Sequence, residues 1–142
     1  IGTVRTHDAE VRADVHARIE RTATAIAESA GARAEVSWGH GVPVSYNEPA
    51  LVDRMLPTLE RVAGATMVQL TPAVMGYEDF SFFAQQVPGM FVFLGARLPG
   101  ISRADAAPNH SPRFVIDESA LRLGVRTYAA LALDFLANTP SE

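Results

Sequence analysis

The chain has 142 residues, a formal charge of -4 at pH 7, 48% hydrophobic residues and 20% charged residues. This is ordinary globular composition, enough for one compact domain or for parts of two. The absence of cysteine excludes disulfide scaffolds and thiolate metal sites, the acidic balance argues against a nucleic-acid or anionic-membrane partner, and no apolar run is long enough to span a bilayer.

Ile1 to Thr6 reads as a short strand, rich in β-branched residues. A helix follows, with Asp8 and Glu10 at its start. Val11, Val15, Ile19, Ala23, Ile26 and Ala30 recur every three or four residues as one apolar stripe, and Gly31 stops it. Ala34, Val36 and Trp38 alternate with Arg33, Glu35 and Ser37, the pattern of a half-buried strand. Gly39 to Tyr46 is a Gly- and Pro-containing connector and a plausible domain boundary.

Asn47 is placed to cap a second helix, with Pro49 in its first turn. Leu51, Met55, Leu59 and Val62 form its apolar face, Pro57 should kink it, and Gly64 should end it. Met67 to Leu70 reads as a strand and Glu78 to Val87 as a helix with Phe80, Phe83, Ala84 and Val87 on one face. Met90 to Gly95 is a continuous apolar run, as in a strand covered on both sides. Arg97 to Arg113 is a long pattern-free loop with three prolines. Asp117 then caps a final helix whose expected buried face is Leu121, Val125, Tyr128, Leu131, Ala132 and Phe135. The order β-α-β, boundary, α-β-α-β-loop-α points to an α/β chain holding pieces of two domains, each too short of strands to make a sheet by itself.

Without cysteine, a transition metal must be held by His, Asp or Glu. Of four histidines, His7, His16 and His40 read as helix-flank or surface-loop residues. His110 is set apart by its place in Asn109-His110-Ser111-Pro112, between the long loop and the last helix. Loops beyond buried strands are where open α/β sheets place ligands, although a loop histidine is commonly structural. Gly76-Tyr77-Glu78-Asp79-Phe80 sets two acids at a helix start. Helix capping explains them, and so does a ligand approached by the backbone at Gly76. Arg5, on the first strand, could fork onto a carboxylate or simply lie on an exposed face.

Five segments in order resemble one family: Gly2-Thr3-Val4-Arg5-Thr6, then Pro43 with Asn47, then Met75 to Phe80, then Pro88-Gly89 to Leu94-Gly95, then Asn109 to Phe114. They are similar to the cocatalytic-metal amidohydrolases and peptidases, a superfamily of aminoacylases, hippurate hydrolases, auxin-conjugate hydrolases and glutamate-releasing carboxypeptidases. The resemblance implies a two-metal α/β catalytic domain with an inserted α+β lid that dimerises. Residues 1–46 would be the last part of the lid and 47–142 the C-terminal half of the mixed-sheet catalytic domain.

The resemblance further implies that His110 binds one of two divalent metals, zinc or manganese, and that Arg5 grips the substrate carboxylate. Gly76 and Glu78 would border the substrate. It implies a small N-acyl amino acid or peptide substrate, a homodimer formed through the lid, and a cytoplasmic location. The family's mechanism is hydrolysis by a metal-activated water, with a glutamate passing its proton to the leaving amine. That glutamate, the other metal ligands and the oxyanion-stabilising lid histidine map upstream of Ile1, so no catalytic residue is assigned here and the chain alone is expected to be inactive. The alternatives are a non-catalytic binding or dimerisation module and an inactive homologue.

Overall fold

The computed structural model describes residues 1–137. Its elements are four helices, α1 (Ala9–Ser29), α2 (Pro49–Ala63), α3 (Phe80–Ala84) and α4 (Ser119–Ala137), with one 3-10 turn at Ala65–Met67. The described residues divide into two compact units: residues 1–48 with 72–91, and residues 49–71 with 92–137.

Among the described residues there is no strand, which corrects the expectation of an α/β sheet within this chain. The segments at Ile1 to Thr6, Ala34 to Trp38 and Met90 to Gly95 carry no ladder, and Met67 closes the 3-10 turn. The physical reason is that periodicity selects which face of a strand would be buried but supplies no partner. A strand's N–H and C=O groups need a neighbour at ladder distance, and too few strands were expected in each piece to make a sheet.

In the first unit, α1 starts where Asp8 Oδ1 accepts the Val11 N–H at 2.8 Å. It ends in a Schellman motif: Gly31 takes φ +68°, its N–H donates to the Glu28 carbonyl, and the Ala32 N–H donates to the Ala27 carbonyl at 2.9 Å. Gly31 is therefore the stop that the sequence indicated. The following segment folds back on the helix. The imidazole of His16 stacks on the indole of Trp38 with ring centres 3.8 Å apart and planes 9° from parallel. One turn earlier, Arg12 Nη1 donates to the Val42 carbonyl at 3.1 Å.

The second unit is built on α2 against α4. Met55, 3% exposed, is the one buried hydrophobic side chain among the described residues, and Leu51, Leu59 and Val62 are half-buried beside it. The expected α2 face is thus the observed one, and the helix runs through Pro57. The expected α4 face is met only at its C-terminal end, at Leu131 and Phe135. Leu121, Val125 and Tyr128 point outward, the last two 71% and 81% exposed. Ala120, Leu123, Gly124, Thr127, Leu131 and Asp134 are the less exposed stripe. Apolar residues ring this helix, so periodicity offered two stripes; the polar partners on α2 select one.

Those partners are Thr58 and Arg61. Thr58, itself buried, donates its hydroxyl to Asp134 Oδ2 at 2.6 Å, and Arg61 Nη2 meets the same oxygen at 2.5 Å. Arg54 adds a second tie, its guanidinium 4.2 Å from the centre of the Phe135 ring and its Nη2 donating to the Phe135 carbonyl at 2.5 Å.

The Thr58 hydroxyl first, then Arg61, hold the Asp134 carboxyl below its ordinary value of 3.8. A depressed carboxylate contributes stability that is complete above that value and disappears as pH falls through the lower folded one. Asp134→Asn is expected to melt at a lower temperature than the parent near neutral pH, with the gap closing in strong acid. Thermal melts of both proteins across the acid range check this, and a gap independent of pH would show that the carboxylate charge is not what ties α4 to α2.

Gly89 is buried, and a Cβ there would lie 2.9 Å from Phe80 Cζ and 3.1 Å from the Ala84 Cβ. The nearer obstacle is the outer edge of the Phe80 ring and the other the Ala84 Cβ, both on α3, so relief requires the ring or the helix to shift. Gly89→Ala should therefore destabilise the protein by about 1 to 3 kcal/mol through overpacking, measured by denaturant unfolding. An unchanged midpoint would mean that α3 is free to move away.

Candidate functional site

Arg5 lies just before the turn into α1. That turn is held by Thr6 Oγ1 donating to the Asp8 carbonyl at 2.7 Å and by the Asp8 cap. Its own side chain is exposed, and no hydrogen bond or ion pair among the described residues engages it. Gly76 is exposed, and a Cβ there would meet nothing within 4 Å, so packing does not demand glycine at this position.

Glu78 and Asp79 precede α3. Their backbone carbonyls accept the N–H groups of Ser81 and Phe82 at 3.0 and 3.1 Å. The Asp79 side chain makes no cap hydrogen bond, and both acids are exposed. A capping hydrogen bond therefore does not hold Asp79, although negative charge at a helix start is favourable without one. Immediately inside the helix, Ser81 is 0% exposed and its Oγ has no hydrogen-bond partner. Nothing in the local sequence marks that serine as buried, since it stands between phenylalanines on a helix of five residues.

His110 occupies the loop ahead of α4. Its φ of +69° is the only left-handed value outside glycine among the described residues. Loop geometry is fixed on either side: the Ser111 N–H donates to the Pro108 carbonyl at 3.2 Å, and the Phe114 N–H to the Ser111 carbonyl at 3.0 Å. Downstream, Asp117 Oδ1 accepts the Ser119 N–H at 2.9 Å, and hydrogen bonds from Ser119 lower the Asp117 carboxyl below its usual range. The Asp117 backbone N–H donates to the Ala96 carbonyl at 2.8 Å, which ties the end of the long loop to the end of the apolar run before it. Asp117 is thus the cap expected of it, and the imidazole before it is exposed.

Arg5, Gly76 and Glu78 belong to the first compact unit and His110 to the second. Among the described residues no group of three or more His, Asp or Glu side chains could hold a metal. His110 can offer one donor, which is a contribution to a metal site and not a site.

Asn47 is a residue whose part the sequence reading missed. The expectation is a cap of α2, but its carboxamide bonds to the backbone of Phe91 instead. The misleading signal was Pro49 two residues later, which is equally at home at a helix start without a side-chain cap.

Three comparisons with known proteins bear on the chain. The family model for Peptidase family M20/M25/M40 matches residues 2–134. Thermostable carboxypeptidase 2 of Saccharolobus solfataricus is 37% identical over 135 residues, covering 94% of this chain and 33% of that protein. N-acetylcysteine deacetylase of Bacillus subtilis is 31% identical over 133 residues, covering 93% of this chain and 32% of that protein. IAA-amino acid hydrolase ILR1-like 6 of Arabidopsis thaliana is 33% identical over 94 residues, covering 66% of this chain and 20% of that protein. The chain thus spans about a third or less of the length of these relatives. No solved structure matches.

Because a left-handed φ costs a side-chain-bearing residue roughly 1 to 2 kcal/mol, His110→Gly should raise unfolding stability by about 1 kcal/mol, and His110→Val should lower it. Denaturant unfolding of the three proteins checks the order. If glycine and valine destabilise alike, the left-handed turn is not a feature of the folded loop.

Proposed function

The chain belongs to peptidase family M20/M25/M40, and on that premise we propose that it is part of a metal-dependent hydrolase that cleaves the amide bond of N-acyl amino acids or small peptides. The carrying observation is a match along residues 2–134. It is supported by relatives whose names read carboxypeptidase, N-acetylcysteine deacetylase and IAA-amino acid hydrolase. Those names have in common an amide bond to an amino acid.

In this reading residues 1–46 belong to a lid that also forms the homodimer, and residues 47–142 to the catalytic domain, whose last five residues lie outside the described ones. His110 is one ligand of a pair of divalent ions, zinc or manganese. An exposed imidazole with an unengaged ring is free to donate a lone pair, and both ions accept nitrogen donors. The general base and the remaining ligands come from the part of the relatives' length that this chain does not match, so the 142 residues alone do not turn over substrate. Arg5 holds the carboxylate of the released amino acid, for which a planar fork is suited. Gly76 and Glu78 border the substrate, in keeping with the exposure of both.

A second reading is a non-catalytic binding or dimerisation module. It is favoured by the absence of a complete metal-binding set among the described residues and by the exposed apolar side chains of Val11, Ile19 and Ile26 along α1.

The two readings separate on metal content and turnover in the complete protein that carries this chain. The hydrolase should lose activity on chelation and regain it with zinc or manganese. His110→Ala should lose one ion per chain and at least about 10- to 100-fold of activity, by analogy with the loss of a group that supports a metal site. Arg5→Lys should raise KM for an N-acyl amino acid, because a point charge replaces a fork. Two ions per chain and normal turnover in His110→Ala would remove it as a ligand, and a complete protein that neither binds metal nor hydrolyses any N-acyl amino acid would leave the binding module as the function.

A further inference from the structure

The Asn47 carboxamide makes a two-point bridge. Its Nδ2 donates to the Phe91 carbonyl at 2.9 Å, and its Oδ1 accepts the Phe91 N–H at 2.7 Å. The next residue, Glu48, donates its backbone N–H to the Gly89 carbonyl at 2.9 Å. Three hydrogen bonds therefore fasten residues 47–48 to 89–91. A side chain reproduces the double exchange that two residues make when they face each other in an antiparallel ladder.

From Phe91 the contact continues to α3. The Phe91 and Phe80 rings lie 5.5 Å apart at 46°. Gly89, whose carbonyl takes the Glu48 bond, approaches Phe80 so closely that a Cβ there would lie 2.9 Å from the ring's Cζ and the ring would have to shift. Phe80 is the first residue of α3, and Glu78 and Asp79 come directly before it. A helix of five residues has little stability of its own, so the placement of the acids depends on what its first aromatic ring rests against. All of these residues lie in one compact unit.

We infer that Asn47 is a positioning residue for Glu78: its carboxamide fixes Phe91, Phe91 and Gly89 seat Phe80, and Phe80 sets where the acid pair stands. This rests on the reading, given above, of Glu78 as a substrate-bordering residue. The chemistry explains the residue type. A carboxamide offers a donor and an acceptor on one short stem. Aspartate would turn an oxygen toward the Phe91 carbonyl, and alanine would leave both groups of Phe91 without this partner.

The test uses amide hydrogen exchange and steady-state kinetics with an N-acetyl amino acid on the complete protein. Asn47→Ala should speed exchange of the Phe91 amide about tenfold while leaving the Gln85 amide, bonded to the Ser81 carbonyl of α3, unchanged. It should also raise KM roughly tenfold, and that factor should shrink toward one in a Glu78→Gln background, because coupled residues are not additive. A Glu78→Gln variant with normal KM would overturn both the site reading and this inference. A raised KM in Glu78→Gln, with the Asn47→Ala factor undiminished there, would overturn this inference alone, as would unchanged exchange at Phe91. If Asn47→Ala does not fold, Asn47→Asp decides. It keeps the acceptor for the Phe91 N–H and loses the donor, so the amide should stay protected while KM rises, and a normal KM in that variant would overturn the assignment.

Discussion

Apolar surface is hidden only against other surface, and this chain carries more apolar helix face than its own residues cover. α4 is the clearest case. One stripe leans on α2 around Met55, while Leu121, Val125 and Tyr128 stand in the open. A helix that is apolar all round has a buried environment as its natural setting. α1 follows the same rule on a smaller scale, with no buried residue along 21 positions and Val11, Ile19 and Ile26 exposed. The matching relatives are about three times as long as the aligned stretch, and a longer fold has more surface with which to close such faces.

With so little apolar burial, polar side chains carry much of the definition of each unit. Asp134 receives Thr58 and Arg61 and selects which stripe of α4 faces α2. The Asn47 carboxamide stands in for a ladder partner of Phe91. Asp8 and Asp117 each accept a backbone N–H near a helix start. These contacts are directional where hydrophobic burial is not. They fix register and rotation, which a single buried methionine cannot do.

Helix ends and helix existence were legible in the sequence because their causes are local. Asp8, Gly31, Gly64 and Asp117 act through neighbours a few residues away, and each terminates or starts an element where it was expected to. What failed needed information from a distance. The alternation at Ala34 to Trp38 is real, yet it produces a contact between Trp38 and His16 and no ladder, because no second strand faces it. The α4 stripe differs from the expected one because the more apolar stripe is not the one turned to α2: the side that carries Thr127 and Asp134 is, and the partners that hold Asp134, Thr58 and Arg61, lie more than seventy positions earlier. The family was legible through its motifs, since five short segments kept their order over nearly the whole chain.

The candidate site follows the same division between local and distant causes. Most polar side chains described above are engaged by the fold, and those engagements explain why they are there. Arg5 and the Glu78–Asp79 pair are not explained that way, but exposure without a structural task is the ordinary condition of surface charges. His110 differs in kind. A histidine held at φ +69° stands at an energetic cost that a glycine at the same place would avoid. Hydrogen bonds around Pro108 and Ser111 and the tie from Asp117 to Ala96 maintain that turn. Among the described residues it is the one position where a side chain other than glycine's takes a left-handed backbone, and its imidazole is exposed. It falls at the position that the proposed reading assigns to a ligand, and a backbone angle by itself says nothing about ligation.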